Sequence, residues 1–337
     1  MKTKLYDIRD KDEFRAATPY DMIKLIPAEG SHSHYKYKYA LNIMTFGICH
    51  QKAIHLSGPT GAGKSSMIEA ITEEPENFRL LCEYAGYEYK PPLLYEIEMV
   101  KFDTPGECHE KTVIKDKNTV DVPSAIIEAL LDAQEKATDH YPIVYFMEMG
   151  RVHSASIQGG LLNIVGKPFV KTLDNKKVPT GRVCFIADSN YQAAGDATYT
   201  LVVLDAALKR RWDINLNIPH FPEENQVQIM YDLVYETLDK KPDLELIKNL
   251  IKLGQMIYQY KAEGNLVSVS EPNPKGYLTC YEMIKAMPGN GINLNVTNSM
   301  LGNAATEDLK LVDTSIQTVF YTHTITADKF SATDDVF

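Results

Sequence analysis

The chain has 337 residues, 44% hydrophobic and 24% charged, which are ordinary values for a globular protein with room for two domains or one large domain with additions. Its net charge of −10 argues against a protein whose main work is coating nucleic acid, although net charge leaves a local basic groove open. No apolar run approaches the length of a membrane span, the start MKTKLYDIRDKDEFR is too charged for a secretory signal, and five scattered cysteines without C-x-x-C spacing read as reduced thiols; a cytoplasmic location is expected.

Residues 1–50 are polar and irregular in pattern. Ser31-His32-Ser33-His34 offers two histidines without a third metal ligand nearby and reads as a solvated loop. Tyr35-Lys36-Tyr37-Lys38-Tyr39 alternates with period two, which suits an edge strand or a stacking platform for single-stranded nucleic acid. Ala53 to Ser57 is a short apolar run suited to a buried strand. It leads into Gly58-Pro59-Thr60-Gly61-Ala62-Gly63-Lys64-Ser65, and the stretch from Ser65 to Thr72, free of Pro and Gly, suits a helix. The pattern G-x-x-x-x-G-K-[ST] between a strand and a helix is a phosphate-binding loop. Its glycines let backbone N–H groups turn inward around phosphate oxygens, at a helix N-terminus that carries partial positive charge. Lys64 is expected on the β- and γ-phosphates and Ser65 on Mg²⁺, with Pro59, Thr60, Gly61, Ala62 and Ser66 completing the cradle.

Further along, Leu94 to Phe102 predicts a second strand, and Thr112 to Val122 a hairpin turning at Asp116-Lys117-Asn118. Ser124 caps a helix reaching about Thr138, with Ile126, Ile127, Leu130 and Leu131 on one face. Pro142 to Met147 is a third, wholly apolar strand, and Ser154 to Ile164 reads as helical. Phe169 to Pro179 predicts another hairpin, turning at Asp174-Asn175-Lys176; Val183 to Ala187 and Ile214 to Ile218 are the fourth and fifth strands. Apolar strands alternating with helices imply an α/β fold, a parallel sheet covered on both faces. Pro219 and Pro222 then break the chain near His220. Beyond them the pattern is helical over 223–239, 243–262 and 274–287, with one or two more helices before an acidic tail. The expected organisation is an N-terminal extension (1–40), an α/β nucleotide-binding domain (41–220), a helical domain (221–325) and a tail (326–337).

Four further motifs stand in a telling order. Strand three ends Phe146-Met147-Glu148-Met149-Gly150-Arg151, and strand four ends Ala187-Asp188-Ser189-Asn190. Then come Leu204-Asp205-Ala206-Ala207-Leu208-Lys209-Arg210-Arg211-Trp212 and, opening a later helix, Pro274-Lys275-Gly276-Tyr277-Leu278. With the phosphate loop, this set resembles the AAA+ ATPases of the MoxR and dynein-related branch, which includes the McrB restriction motor. The resemblance spans about residues 40–315; it is specific in order and spacing and weaker in residue identity. It implies a P-loop α/β core followed by a helical lid, with the two hairpins as expected additions. It places Glu148 as the carboxylate that orients the attacking water, and Asn190 as the polar sensor that helps to hold it. Arg211, with Arg210 as the adjacent candidate, falls on the finger that reaches a neighbouring subunit's γ-phosphate, a role suited to a permanently charged fork. Lys275 stands where the lid's sensor arginine is usual, keeping the charge and losing the fork.

The resemblance also implies ATP and Mg²⁺ as cofactors, a homo-oligomeric ring, hexameric in relatives, and chaperone-like work on a partner complex, often one with a von Willebrand-type domain. Nothing resembles the Asn-Lys-x-Asp guanine motif, so ATP is expected over GTP. The segment from Thr104 to Val120 follows strand two, where such rings present loops to a central pore. It holds His109, Lys111, Lys115 and Lys117 but no aromatic–apolar pair, so docking or remodelling of a partner is expected over threading.

One position departs from the family. Its aspartate before the catalytic glutamate, which holds Mg²⁺ through water, is Met147 here, and a soft thioether cannot serve a hard, oxygen-seeking cation. Asp188, two residues before Asn190, is expected to supply a carboxylate from the next strand; Glu148 taking the metal role is the alternative. Three other readings stay open: a nucleotide-binding switch or scaffold with weak hydrolysis, a motor subunit of a nucleic-acid-processing system, and a small-molecule P-loop kinase. The last is disfavoured by the length of the helical domain and the placement of Arg210 and Arg211.

Overall fold

The computed structural model describes residues 32–320 apart from 74, 116–117, 153–154, 173–174, 191–204, 219–222, 239, 267, 270–271, 288, 290 and 302–303. Its described residues divide into two units that change over at 220/221. The first begins with helix α1 (His32–Cys49), where the sequence pattern suggested a loop and an edge strand. The run contains no proline, and Ala40, Leu41, Met44 and Ile48 recur at helical spacing and are buried. Burial of that stripe outweighs the strand preference of the Tyr/Lys alternation.

Next come β1 (Ile54–Gly58) and α2 (Lys64–Thr72), then α3 (Pro75–Ala85), a helix absent from the sequence reading. Pro75 opens α3, and its buried Phe78, Leu81 and Cys82 have i, i+3, i+4 spacing. β2 (Pro92–Glu98) is followed by the antiparallel hairpin β3 (Glu110–Lys115) and β4 (Asn118–Pro123), whose turn residues 116–117 lie outside the described residues. Ser124 caps α4 (Ala125–Lys136), its hydroxyl accepting from the Ile127 N–H at 3.2 Å. The unit continues through β5 (Tyr141–Met147), α5 (Ala155–Leu161), the short hairpin β6 (Phe169–Lys171) and β7 (Lys177–Pro179), β8 (Cys184–Asn190), α6 (Ala206–Lys209) and β9 (Ile214–Asn217).

Strands β2-β5-β8-β1-β9 pair in that order, parallel throughout. The expected parallel five-stranded α/β core is present, with strand β8 between the loop-bearing strand β1 and strand β5. Alternation sorts side chains onto two faces. Val144, Phe146, Phe185 and Ala187 share one core with Ile126, Ile127 and Leu130 of α4 and Ile157 of α5. Ile143, Tyr145, Ile186 and Asp188 therefore point to the opposite face, where α1 packs on β5 and β8, and α2 on β1 and β2. All five cysteines are free, Cys49 half-buried and the others buried.

The second unit is helical: α7 (Glu223–Leu238), α8 (Leu244–Ala262), α9 (Pro274–Ala286), α10 (Ile292–Val296), a π turn over Thr297–Leu301, and α11 (Thr306–Phe320). It has its own core, drawn from Met230, Val234, Leu250, Ile257, Ile284 and Ile316 among others. Asp243 caps α8 by accepting from the Leu246 N–H at 3.1 Å, and it also takes the nearly buried Lys285 ammonium at 2.8 Å. Among the described residues no helix is long and apolar enough to cross a membrane.

One buried group makes this fold sensitive to pH. His55 on β1 is 6% exposed, its Nε2 lies 2.8 Å from Ser189 Oγ, and its ring faces that of Trp212 at 6.0 Å. Burial lowers its pKa to about 4, a hydrogen bond with Asn215 working the other way and the Lys209 charge adding to the fall. The unfolded histidine titrates near 6.5, so between the two values the unfolded chain holds a proton that the folded chain lacks. Stability is therefore full above pH 6.5 and is lost as pH falls towards 4, by about 2 kcal/mol at pH 5. Urea unfolding at pH 7.5 and pH 5 is expected to show this loss in the wild type and a smaller one in His55→Gln; identical losses in both proteins would assign it elsewhere.

Candidate functional site

At the C-terminal edge of the sheet, β1 runs into a loop that two left-handed glycines bend back on itself: Gly61 has φ 76° and Gly63 φ 77°. Gly58 is needed for a different reason. A Cβ there would lie 2.2 Å from the Ile218 carbonyl oxygen, because the segment leaving β9 crosses closely over the end of β1. Gly63 is the N-cap of α2 and supplies no capping side chain, which leaves first-turn N–H groups to meet water or an anion.

Lys64, the first residue of α2, is 5% exposed. Its ammonium donates to Gly58 O at 3.1 Å, Pro59 O at 2.8 Å and Asn190 Oδ1 at 2.7 Å. Asn190 comes to that place through strand register: β8 pairs with β1 so that Asn190 stands opposite Gly58. The loop lysine and the residue at the end of β8, 126 positions apart in sequence, are thus joined directly.

Asp188, 4% exposed, lies on the same face of β8 as Asn190. The β5–β8 pairing ends at Phe146 opposite Ala187, so one step further Asp188 stands level with Met147. Its Oδ1 accepts from the Glu148 N–H at 2.8 Å. Glu148 holds a left-handed backbone (φ 52°, ψ 44°), a conformation that costs a non-glycine residue about 1–2 kcal/mol. That turn swings its N–H towards Asp188 and its side chain outward. The Glu148 carboxylate, about 40% exposed, pairs with Arg151 at 3.0 Å.

Tyr145, two residues before Met147, reaches the site from inside the sheet. Its Oη donates to Ser65 Oγ at 3.3 Å. Burial holds its pKa well above the ordinary tyrosine value, with the Asp188 carboxylate as the next cause. The sequence reading missed Tyr145 because it took strand three as uniformly apolar. The available signal was the one side-chain hydroxyl in the run from Pro142 to Met147.

The remaining expected residues have other local settings. Arg210 closes α6 and is exposed, whereas Arg211 is half-buried and donates from Nη1 to the Val165 carbonyl at 3.3 Å. Lys275 is the second residue of α9 in the helical unit, where Asn273 caps the helix by accepting from the Gly276 N–H at 2.9 Å. Among the described residues no three His, Cys, Asp or Glu side chains gather as a metal cluster. The side-chain oxygens described at this edge include Ser65 Oγ, which accepts from Tyr145, and the Asp188 carboxylate, which accepts from the Glu148 N–H.

No protein-family model matches the sequence, and no curated protein is similar to it. Among solved structures, the chain is similar to a protein of Cytophaga hutchinsonii described as an ATPase, at 13% identity over 91% of this chain and 94% of that one, with a TM-score of 0.41. It is also similar to the RuvB Holliday junction branch migration motor of Thermotoga maritima, at 9% identity over 90% and 72% of the two chains and a TM-score of 0.41. NtrX of Brucella abortus in complex with ADP gives 14% identity over 66% and 46%, with a TM-score of 0.42. These likenesses are too distant to carry residue roles across; the P-loop fold rests on the chain's own strand order and loop geometry.

The Asp188 contact is expected to hold the turn at Glu148. Asp188→Ala leaves that N–H without its acceptor and should lower stability by about 1–3 kcal/mol, whereas Asp188→Asn, whose amide oxygen still accepts, should lose less. Urea unfolding of the three proteins checks this, and equal losses in the two variants would deny the contact that role.

Proposed function

We propose that the chain is an AAA+ ATPase of the MoxR-like kind, which binds ATP with Mg²⁺, hydrolyses it slowly, and uses the cycle as a ring oligomer to remodel a partner protein complex. The observation that carries this reading is the meeting of Lys64, Ser65, Asn190 and Asp188 at one edge of a parallel sheet. The acceptors now around the Lys64 ammonium are backbone carbonyls and an amide, which phosphate oxygens replace with stronger, charge-assisted partners. Ser65 Oγ and the Asp188 carboxylate are hard oxygen donors that suit Mg²⁺, and Met147 beside them is not. Bound Mg²⁺ neutralises charge on the phosphates. Asn190 sits within reach of the same phosphate edge as Lys64, and Glu148 at the end of β5 is the residue that orients water.

Slow turnover is part of the proposal. The Glu148 carboxylate is paired with Arg151 at 3.0 Å, and it has to leave that partner before it can orient water. The same observation favours the second reading, a nucleotide-operated switch or scaffold with little hydrolysis. For the finger, Arg211 is tied to the Val165 carbonyl and Arg210 is exposed, so the pair offers one anchored and one outward guanidinium to a neighbouring subunit. The partner is proposed as a protein complex with a von Willebrand-type domain, on the resemblance alone.

Two measurements test this. Lys64→Ala should keep its fold and lose about 100-fold in ATP affinity, the scale of a few kcal/mol for a charged contact in a buried site; unchanged affinity by calorimetry removes the nucleotide site. In the assembly, Arg211→Ala should leave ATP binding near normal and slow hydrolysis by about 10³–10⁵. Mixing that variant with Glu148→Gln should recover activity at mixed interfaces. A protein that stays monomeric with ATP present excludes the ring.

A further inference from the structure

We infer that Tyr145 is a positioning residue for the metal end of the nucleotide site, fixing the Ser65 hydroxyl on the face it shares with Asp188, where Met147 leaves a gap in the usual ligand set. The inference rests on the nucleotide-site reading above and adds a residue to it.

Strand β5 is apolar on both faces around Tyr145, with Ile143, Val144 and Phe146 fully buried. Tyr145 itself is 2% exposed. A phenylalanine would fill that space without a hydroxyl to satisfy, and a buried hydroxyl without a partner costs free energy. The strand thus carries a polar group that packing does not require. Alternation directs it to the face shared with Asp188 and with α2, the helix that begins at Lys64 and Ser65.

Its two neighbours there are the proposed cation ligands. Tyr145 Oη donates to Ser65 Oγ at 3.3 Å, and Asp188 lies on the same face, one strand over. A serine hydroxyl has two lone pairs and a proton that rotates freely. With one lone pair occupied by Tyr145, the other lone pair and the proton are limited to the remaining directions, and the side chain is held in one rotamer. Asp188 is held by the Glu148 N–H. Each proposed ligand thus has its own fixed contact, Ser65 with Tyr145 and Asp188 with the backbone of Glu148.

Calorimetric titration of the full chain with ATP, once in excess EDTA and once in millimolar Mg²⁺, separates this role from general packing. Tyr145→Phe is expected to match the wild type in EDTA and to lose about five- to tenfold of the affinity gained with Mg²⁺, the scale of one hydrogen bond. In a Ser65→Ala background, where the hydroxyl to be positioned is gone, Tyr145→Phe should have much less effect. Equal losses with and without Mg²⁺ would make Tyr145 a support of the loop alone and overturn the inference, as would no loss in either condition. If Tyr145→Phe does not fold, Ser65→Ala alone still decides: an undiminished Mg²⁺ gain in that variant overturns the inference. A wild type that binds no ATP in either buffer defeats the nucleotide-site reading itself, and that result is distinct from all the others.

Discussion

The Lys64 ammonium, 5% exposed and shared among the Gly58 and Pro59 carbonyls and Asn190 Oδ1, is a positive charge withdrawn from water, and several parts of the first unit must be in place to hold it. A buried charge without partners costs several kcal/mol, so these acceptors are obligatory. Two come from the loop itself, which must curl tightly enough to aim its carbonyls inward, and Gly61 and Gly63 permit that with positive φ. The third requires β8 to lie beside β1 in the register that sets Asn190 opposite Gly58. The close crossing of Ile218 over Gly58 then locks β9 onto the other side of β1. Loop, sheet order and helix start are all conditions for one cation. That cation is in turn held ready for oxygens more negative than those it has now.

The second feature of the edge is a carboxylate displaced by one strand. Met147 occupies the end of β5, and Asp188 stands level with it on β8, about 4.8 Å across in a regular sheet. Asp188 is nearly buried, so its carboxyl oxygens need donors, and one takes the N–H that the left-handed turn at Glu148 swings towards it. This contact explains how a non-glycine residue keeps a costly backbone conformation, since the surrounding structure supplies the compensation. The same turn leaves the Glu148 side chain half-exposed beside Arg151. The positions of the Asp188 carboxylate and of the Glu148 side chain are therefore linked through a single backbone group.

The two faces of the sheet are put to different uses. The face carrying Phe146, Phe185 and Trp212 is a dry core, where even His55 is kept neutral by burial. The opposite face grows polar towards its C-terminal edge through Tyr145, Asp188 and Asn190, under the helix that begins at the phosphate loop. The helical unit has its own core and its own ion pair between Lys285 and Asp243.

Much of this was legible in the chain itself, because local rules decide it. The phosphate loop is written in consecutive residues whose glycines and lysine have no other common purpose, and the five strands announce themselves as short apolar runs between turn residues. The parallel sheet follows from their alternation with helices. Even the idea that Asp188 compensates for Met147 needs only an assumed strand order, which the structure bears out as β5-β8-β1. What sequence patterns misjudged were places where packing overrules local preference. The Tyr/Lys alternation at 35–39 looks like a strand and lies in α1, because the buried stripe from Ala40 to Ile48 pays for a helix there. Tertiary structure alone decided the contacts between residues far apart in the chain: Lys64 with Asn190, Glu148 with Asp188, and Tyr145 with Ser65. The physical reason is that a tyrosine in an apolar strand reads as one more core residue until register and the pleat determine which strand lies beside it and which face its hydroxyl must take.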